Sequence, residues 1–220
     1  MGLRELKKQQ MRDRIGDTAW RLFAERGFDR VTVVEVARAA QVSEATVFNY
    51  FPAKEDLFYS RFEAFGERLV EAVRTRPAGE AALTAFRRKL LETAGLLAQV
   101  EAGDTEALAR LRTVNRMIAD SAALRAREQQ ALTASVDALA AVLAAESGAP
   151  ADDVTARVAA DALFGVHRAL IAHVRHRVLS DDEPGRLAGD VRRLAERGFT
   201  LLEGGLREYA TDGRGDVTVT

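Results

Sequence analysis

Residues 32–54, TVVEVARAAQVSEATVFNYFPAK, decide the fold of this chain. Thr32 followed three residues later by Glu35 makes a capping box, so a helix starts at Val33. Val36, Ala37 and Ala40 fall on one face of that helix, and the alanines are small enough for a second helix to cross closely. Gln41-Val42-Ser43 reads as a turn, in which Val42 is an apolar plug and Ser43 the N-cap of the next helix. In that helix Val47 and Phe51 are four apart and face inward. Glu44, Ala45, Phe48 and Asn49 are left on the outer face, with Thr46 and Tyr50 at its flanks. Pro52 ends the helix, because the residue before a proline is biased out of the α region. A unit of this kind places its second helix in the major groove of DNA.

Upstream, Ile15, Ala19, Leu22 and Phe23 follow helical spacing in a helix read from Lys8 to Arg26, closed by Gly27 and Phe28. Residues 1–14 hold Arg4, Lys7, Lys8, Arg12 and Arg14 against Glu5 and Asp13, a local charge of +3 read as a flexible basic arm for phosphate or the minor groove. Downstream, a fourth helix is expected from Lys54 to just before Pro77, with Glu55 and Asp56 in its positive first turn.

Together these residues resemble the DNA-binding domain of the TetR family of bacterial transcriptional regulators. The likeness runs through Ala24-Glu25-Arg26-Gly27-Phe28, Thr32-Val33, Val36-Ala37, Ala40, Val42-Ser43, Thr46-Val47-Phe48, Tyr50-Phe51, Lys54 and Leu57. Gln41 and Ala45 stand where the family usually has glycine, and at Gln41 a turn with positive φ costs a residue with a Cβ. The resemblance implies Thr32, Thr46, Tyr50 and Lys54 as phosphate-binding positions. Ser43 joins the same DNA-binding set, and Glu44, Ala45, Phe48 and Asn49 take the places that face base edges. Chemically, Asn49 can pair with adenine through two hydrogen bonds, Glu44 can accept from cytosine N4, and Ala45 and Phe48 can touch a thymine methyl. As a negative group at a helix N-terminus Glu44 is also favourable without any base.

Composition sets the rest of the frame. The 220 residues are 47% hydrophobic and 30% charged, with four prolines, no cysteine and a net charge of −1. Alanine, leucine, arginine and glutamate dominate and alternating strand patterns are absent before the last few residues, so an all-α chain is expected. Without cysteine there is no disulfide and no thiolate catalysis or metal binding. Residues 1–15 are polar and basic, so no secretory leader is expected, and no apolar run approaches the roughly 20 residues of a membrane span. A cytoplasmic protein without a membrane partner is the expectation.

The chain divides into an arm and helix-turn-helix head at 1–53, a larger helical effector-binding and dimerisation body at 54–210, and a disordered tail at 211–220. About nine helices are expected in all. Body helices are read at about 80–100, then after a Gly103-Asp104-Thr105 break to about Ile118, from a Ser121 cap to before Ser147, from an Asp152 or Asp153 cap to Val178, and from about Arg186 to Tyr209. Residues 180–185 read as a turn between the last two. On the helix after Asp153, Val158, Ala162, Val166 and Ala169 form one apolar stripe, and Leu163, Leu170, Val174 and Val178 form another, with Gly165 allowing close approach. The last helix offers Leu187, Val191, Leu194, Phe199, Leu201, Leu202 and Leu206. The resemblance implies that the last two helices form a four-helix bundle with a second copy, the alternative being intramolecular core. Candidate effector-pocket residues are Phe62, Phe65, Phe86, Arg112, Asn115, Arg116 and His167, with Asp120 a further polar residue on the same helix as Asn115. Core packing is the ordinary fate of such phenylalanines and of a histidine on an apolar face, and a solvated face that of two arginines four apart.

Function follows as an expectation: a ligand-responsive regulator that binds a palindromic operator in double-stranded DNA as a homodimer, with an unknown small-molecule effector and no cofactor. Release of a repressor by that effector, with the helix after Pro52 as lever, is the implied mechanism. The alternatives are a constitutive DNA binder and a helical sequestration protein without an operator. Enzyme motifs are missing: there is no G-x-x-x-x-G-K-S/T loop, G-x-S-x-G elbow or H-E-x-x-H pair, and no carboxylate motif completes His173 and His176 as a metal site.

Overall fold

A computed structural model describes residues 2–60, 64–92, 96–180 and 186–205. Phe62, most of the turn at 180–185, the end of the last helix at Leu206 and Tyr209, and the tail at 211–220 lie outside the described residues. Among the described residues the fold is all-α. It runs α1 (Leu3–Arg26), α2 (Val33–Ala39), α3 (Glu44–Tyr50), α4 (Lys54–Tyr59), α5 (Ala64–Arg74), α6 (Ala82–Leu91), α7 (Leu96–Glu101), α8 (Thr105–Asp120), α9 (Ala122–Glu146), α10 (Val154–Leu179) and α11 (Leu187–Gly204).

Among the described residues there are eleven helices in place of the nine or so expected, because 54–76 and 80–100 each carry two. After α6 the chain leaves helical geometry at Glu92 (φ −59°, ψ 104°), a change that amphipathic spacing on either side does not signal. The chain also turns helical earlier than expected, at Leu3 rather than Lys8. Leucine, arginine, glutamate, lysine and glutamine are good helix formers, and nothing after Gly2 interrupts them. The basic residues of 1–14 are therefore displayed on the first turns of α1, not on an extended arm.

Most boundaries come from local chemistry. Ser121 and Asp153 cap α9 and α10 through their side chains, and Asp104 caps α8 next to Gly103, whose φ of 85° suits glycine. The head, α1 to α3, packs with α4 around Phe23, Phe28, Val47, Phe51 and Phe58. That core is continuous with Val114, Met117 and Ile118 of α8 and Leu124 of α9, so head and body share buried surface. A second core, centred on Phe86, Phe164 and Phe199, holds α5, α6, α9, α10 and α11 together. No helix of the described residues is long and apolar enough to cross a membrane.

Candidate nucleic-acid interface and body cavity

In the head, α2 begins with the capping box read in the sequence. Thr32 Oγ1 accepts from the Glu35 amide at 3.2 Å, and the Thr32 amide donates to Glu35 Oε2 at 2.8 Å. The Thr32 hydroxyl also donates to Glu35 Oε2, and Arg26 Nη2 donates to Oε1 at 2.7 Å. With the Thr32 amide as the main cause, followed by Arg26, the Glu35 carboxyl drops from its ordinary 4.5 to about 2. A depressed value stabilises the fold only while the group is ionised. Its contribution is complete above pH 4.5 and disappears as the pH falls toward 2. Acid unfolding of wild type and Glu35→Ala, followed by circular dichroism, should therefore converge below that window and separate above it. Curves that coincide at every pH would show that the Glu35 carboxylate does not stabilise the head.

The turn between α2 and α3 is made by Gln41 at φ 56°, the one positive-φ residue other than glycine among the described residues. Its amide donates to Arg38 O at 3.1 Å and that of Val42 to Ala37 O at 3.0 Å, so two backbone bonds offset the left-handed strain. Ser43 then caps α3 by accepting from the Thr46 amide at 3.0 Å. Val47 and Phe51 are sealed in the core, whereas Glu44, Ala45, Phe48 and Asn49 are exposed and Thr46 and Tyr50 half-buried. The outer face expected for base contact is thus open and held rigidly from behind. Lys54, at the start of α4, is half-buried with Nζ 4.2 Å from the centre of the Phe28 ring. Loss of water around it lowers its pKa.

Arg12 is a member of this site that sequence reasoning assigned to the arm. From α1 its Nη1 donates to the Tyr50 carbonyl at 2.9 Å, and its guanidinium lies 4.6 Å from the centre of the Phe51 ring. A cation therefore closes the negative C-terminal end of α3.

In the body a cavity of about 310 Å³ is lined by residues of α4 to α11. Its walls are mainly apolar, among them Phe65, Leu90, Ile118, Leu170, Val174 and Val191. Of the residues proposed for a pocket, Phe65, Asn115 and His167 line it. Phe86 does not: it is fully buried in the second core against Phe164 and Phe199. Arg112 and Arg116 are also outside the lining, Arg116 on the exposed face of α8, where Asp120 is exposed too.

Sequence reasoning passed over Tyr59, Glu128 and Arg175, which line the same cavity. Arg175 Nη2 donates to Glu128 Oε1 at 2.6 Å and Nε to Asn115 Oδ1 at 3.4 Å, while Asn115 Nδ2 donates to Leu111 O at 2.9 Å. The signal for Arg175 was available, since His167, Ile171 and Arg175 are spaced by four on one helix. His167 lies between Phe65 and Phe164, with ring centres 5.1 and 6.1 Å away, and its Nδ1 has no hydrogen-bond partner among the described residues. Burial lowers its pKa from 6.5 to about 4, so the ring is neutral near pH 7.

Three contacts tie the start of α9 to the head and to α4, which packs on it. Ser121 Oγ donates to Asp29 Oδ1 at 2.8 Å, and Tyr59 OH donates to Leu124 O at 3.0 Å. Arg127 Nε donates to Asp56 Oδ1 at 2.9 Å, and Asp56 Oδ2 accepts from the Ala53 amide at the start of α4. Glu128, next in sequence, faces the cavity. Burial raises the Tyr59 hydroxyl pKa strongly, with the nearby Glu128 charge adding to it, so the phenol remains a donor.

The pattern of the bacterial regulatory proteins, tetR family, matches residues 15–60. The HTH-type transcriptional regulator TcmR of Streptomyces glaucescens is 29% identical over 154 residues, 69% of this chain and 67% of its own. The HTH-type transcriptional regulator LuxR of Vibrio harveyi is 47% identical over 55 residues, but that match spans only 25% of each protein. Among solved structures, Thermus thermophilus FadR, a TetR-family repressor in complex with lauroyl-CoA, superposes with a TM-score of 0.53 at 25% identity, over 93% of this chain and 100% of that one. NalD, the secondary repressor of the MexAB-OprM multidrug efflux pump in Pseudomonas aeruginosa, shares the fold at a TM-score of 0.51 and 20% identity, over 87% of this chain and 96% of its own. With its capped turn and open second helix, the segment 15–60 is a helix-turn-helix DNA-binding domain of the tetR family of bacterial regulatory proteins, carried on a helical body similar to that of a TetR-family repressor.

Proposed function

We propose that the protein is a cytoplasmic, homodimeric repressor that binds a palindromic operator and is released by a small-molecule effector. The observation that carries this reading is the open face of α3, four side chains wide, on a helix whose inner residues Val47 and Phe51 are sealed. A dimer is supported by α10, whose second stripe is buried in the body while Val158 is 61% exposed and Ala169 also open. A Cβ added at Gly165 would meet nothing within 4 Å, leaving room for a close helix crossing. Two heads on a two-fold axis suit half-sites one turn of duplex apart. Effector response is supported by the cavity and by the lauroyl-CoA complex of the FadR relative. An effector releases DNA only if it binds the DNA-incompetent arrangement of heads more tightly. The first turns of α9, touching both α4 and the cavity wall, are the relay through which that preference reaches α3.

Selection of random duplex DNA on the purified protein at near-physiological salt tests the reading. A palindromic consensus is expected; a folded dimer that enriches no sequence would instead favour sequestration. With the consensus in hand, Asn49→Ala should change preference among operator variants by about 1–3 kcal/mol at one position. Equal loss on every variant would make Asn49 a backbone contact. Lys54→Gln should weaken binding alike on all sequences and lower the salt slope by about 0.9 for one phosphate contact. An unchanged slope would confine Lys54 to its packing on Phe28.

A further inference from the structure

The charges facing the body cavity are already matched. Arg175 is paired with Glu128 at 2.6 Å, and their side chains are 20% and 21% exposed. At the rim, Glu92 pairs with Lys89, and Arg192 pairs with Glu101. The charged residues that line the cavity within the described chain thus each have an opposite charge. One polar ring in the wall is unmatched: His167 is buried, lines the cavity and has no partner at Nδ1. A neutral imidazole offers one acceptor and one donor, and a buried polar atom left without a partner is costly.

We propose that the cavity selects an uncharged, largely apolar molecule carrying a hydroxyl, with the Arg175–Glu128 pair excluding ions and the His167 ring receiving the hydroxyl. This rests on the effector-pocket reading above and deepens it to a ligand class. A ligand carboxylate meets an Arg175 whose charge Glu128 already balances, so it either adds an uncompensated negative charge among apolar residues or displaces Glu128 and leaves that unpaired. A ligand ammonium likewise meets a Glu128 already balanced by Arg175, and either adds an uncompensated positive charge or leaves Arg175 unpaired. A neutral ligand disturbs neither, and its apolar part buries against Phe65, Leu170 and Val174. Because a hydroxyl both donates and accepts, it suits either nitrogen of the ring. The pair thus acts as a charge filter that a lone arginine would reverse. At about 310 Å³ the space lies at the small end of the range for ligand sites.

Three probes of one shape and different charge test this: 2-naphthylmethanol, 2-naphthoate and 2-naphthylmethylammonium, titrated calorimetrically into the full-length protein. The alcohol should bind at least about tenfold more tightly than either ion. Glu128→Gln, which frees Arg175, should strengthen naphthoate binding by about tenfold or more and leave the alcohol nearly unchanged. His167→Phe should weaken the alcohol without improving either ion. Should Glu128→Gln fail to fold, the reciprocal Arg175→Gln, which frees Glu128, should strengthen binding of the ammonium by about tenfold or more and leave the alcohol nearly unchanged. Naphthoate binding to wild type as tightly as the alcohol, or gaining nothing in a folded Glu128→Gln, overturns the filter while leaving an effector pocket standing. Alcohol binding that never alters operator affinity overturns the effector reading and leaves the filter. Binding of none of the three overturns both.

Discussion

Phe58→Ala is expected to destabilise the protein by about 3–5 kcal/mol, the range for emptying a buried aromatic site. Phe58 is fully buried, with Trp20, Tyr59 and Phe28 ring centres at 5.3, 5.1 and 5.9 Å. Its neighbours come from α1, from α4 and from the segment before α2, in a core continued by α8 and α9, so no single element can collapse into the space. Phe48, ten positions earlier in the chain, is 43% exposed on α3 and supplies the control. Phe48→Ala should leave the urea midpoint unchanged and alter operator binding alone. Phe58→Ala should lower the midpoint and lose operator binding with the folded head. A Phe58→Ala midpoint near wild type would show that the junction of head and body does not depend on this ring cluster.

That contrast marks what the sequence discloses. Helix starts at Val33, Glu44, Ala122 and Val154 are legible because a side chain and an amide three residues away decide each of them. The open and sealed faces of α3 follow from spacing by four within a single short helix. The cavity is different, since its walls come from helices far apart in the chain. Phe65 and Phe86 are equivalent as apolar positions on amphipathic helices, yet one lines the cavity and the other fills the core. Arg112, Arg116 and Arg175 are alike in sequence, and only the approach of α9 to α10, which brings Glu128 to Arg175, distinguishes the last. The bend at Glu92 likewise leaves no trace in a pattern that stays helical on both sides.

Arg12→Ala separates two meanings of a basic N-terminus, and its effect is expected to be nearly as large as that of Phe58→Ala. The side chain donates a charged hydrogen bond to Tyr50 O at 2.9 Å, worth about 1.5–3 kcal/mol. It also covers the Phe51 ring at 4.6 Å, an arrangement worth about 0.5–1 kcal/mol or more where water is excluded. Without it the final carbonyls of α3 lose a cation and Phe51 loses its cover, so the recognition helix frays from its C-terminal end. The expected result is a lower urea midpoint, weaker binding to every operator variant alike, and an unchanged salt slope. An arginine that contacts phosphate would give the reverse, with stability intact and the slope reduced by about 0.9. Arg12→Lys sharpens the distinction: a lysine keeps the charge a phosphate would feel, but lacks the planar fork that donates to Tyr50 O while lying over Phe51. Stability lost in both variants, with the slope kept in both, would assign Arg12 to holding α3 in place. Recovery of binding by lysine without recovery of stability would return it to the DNA backbone.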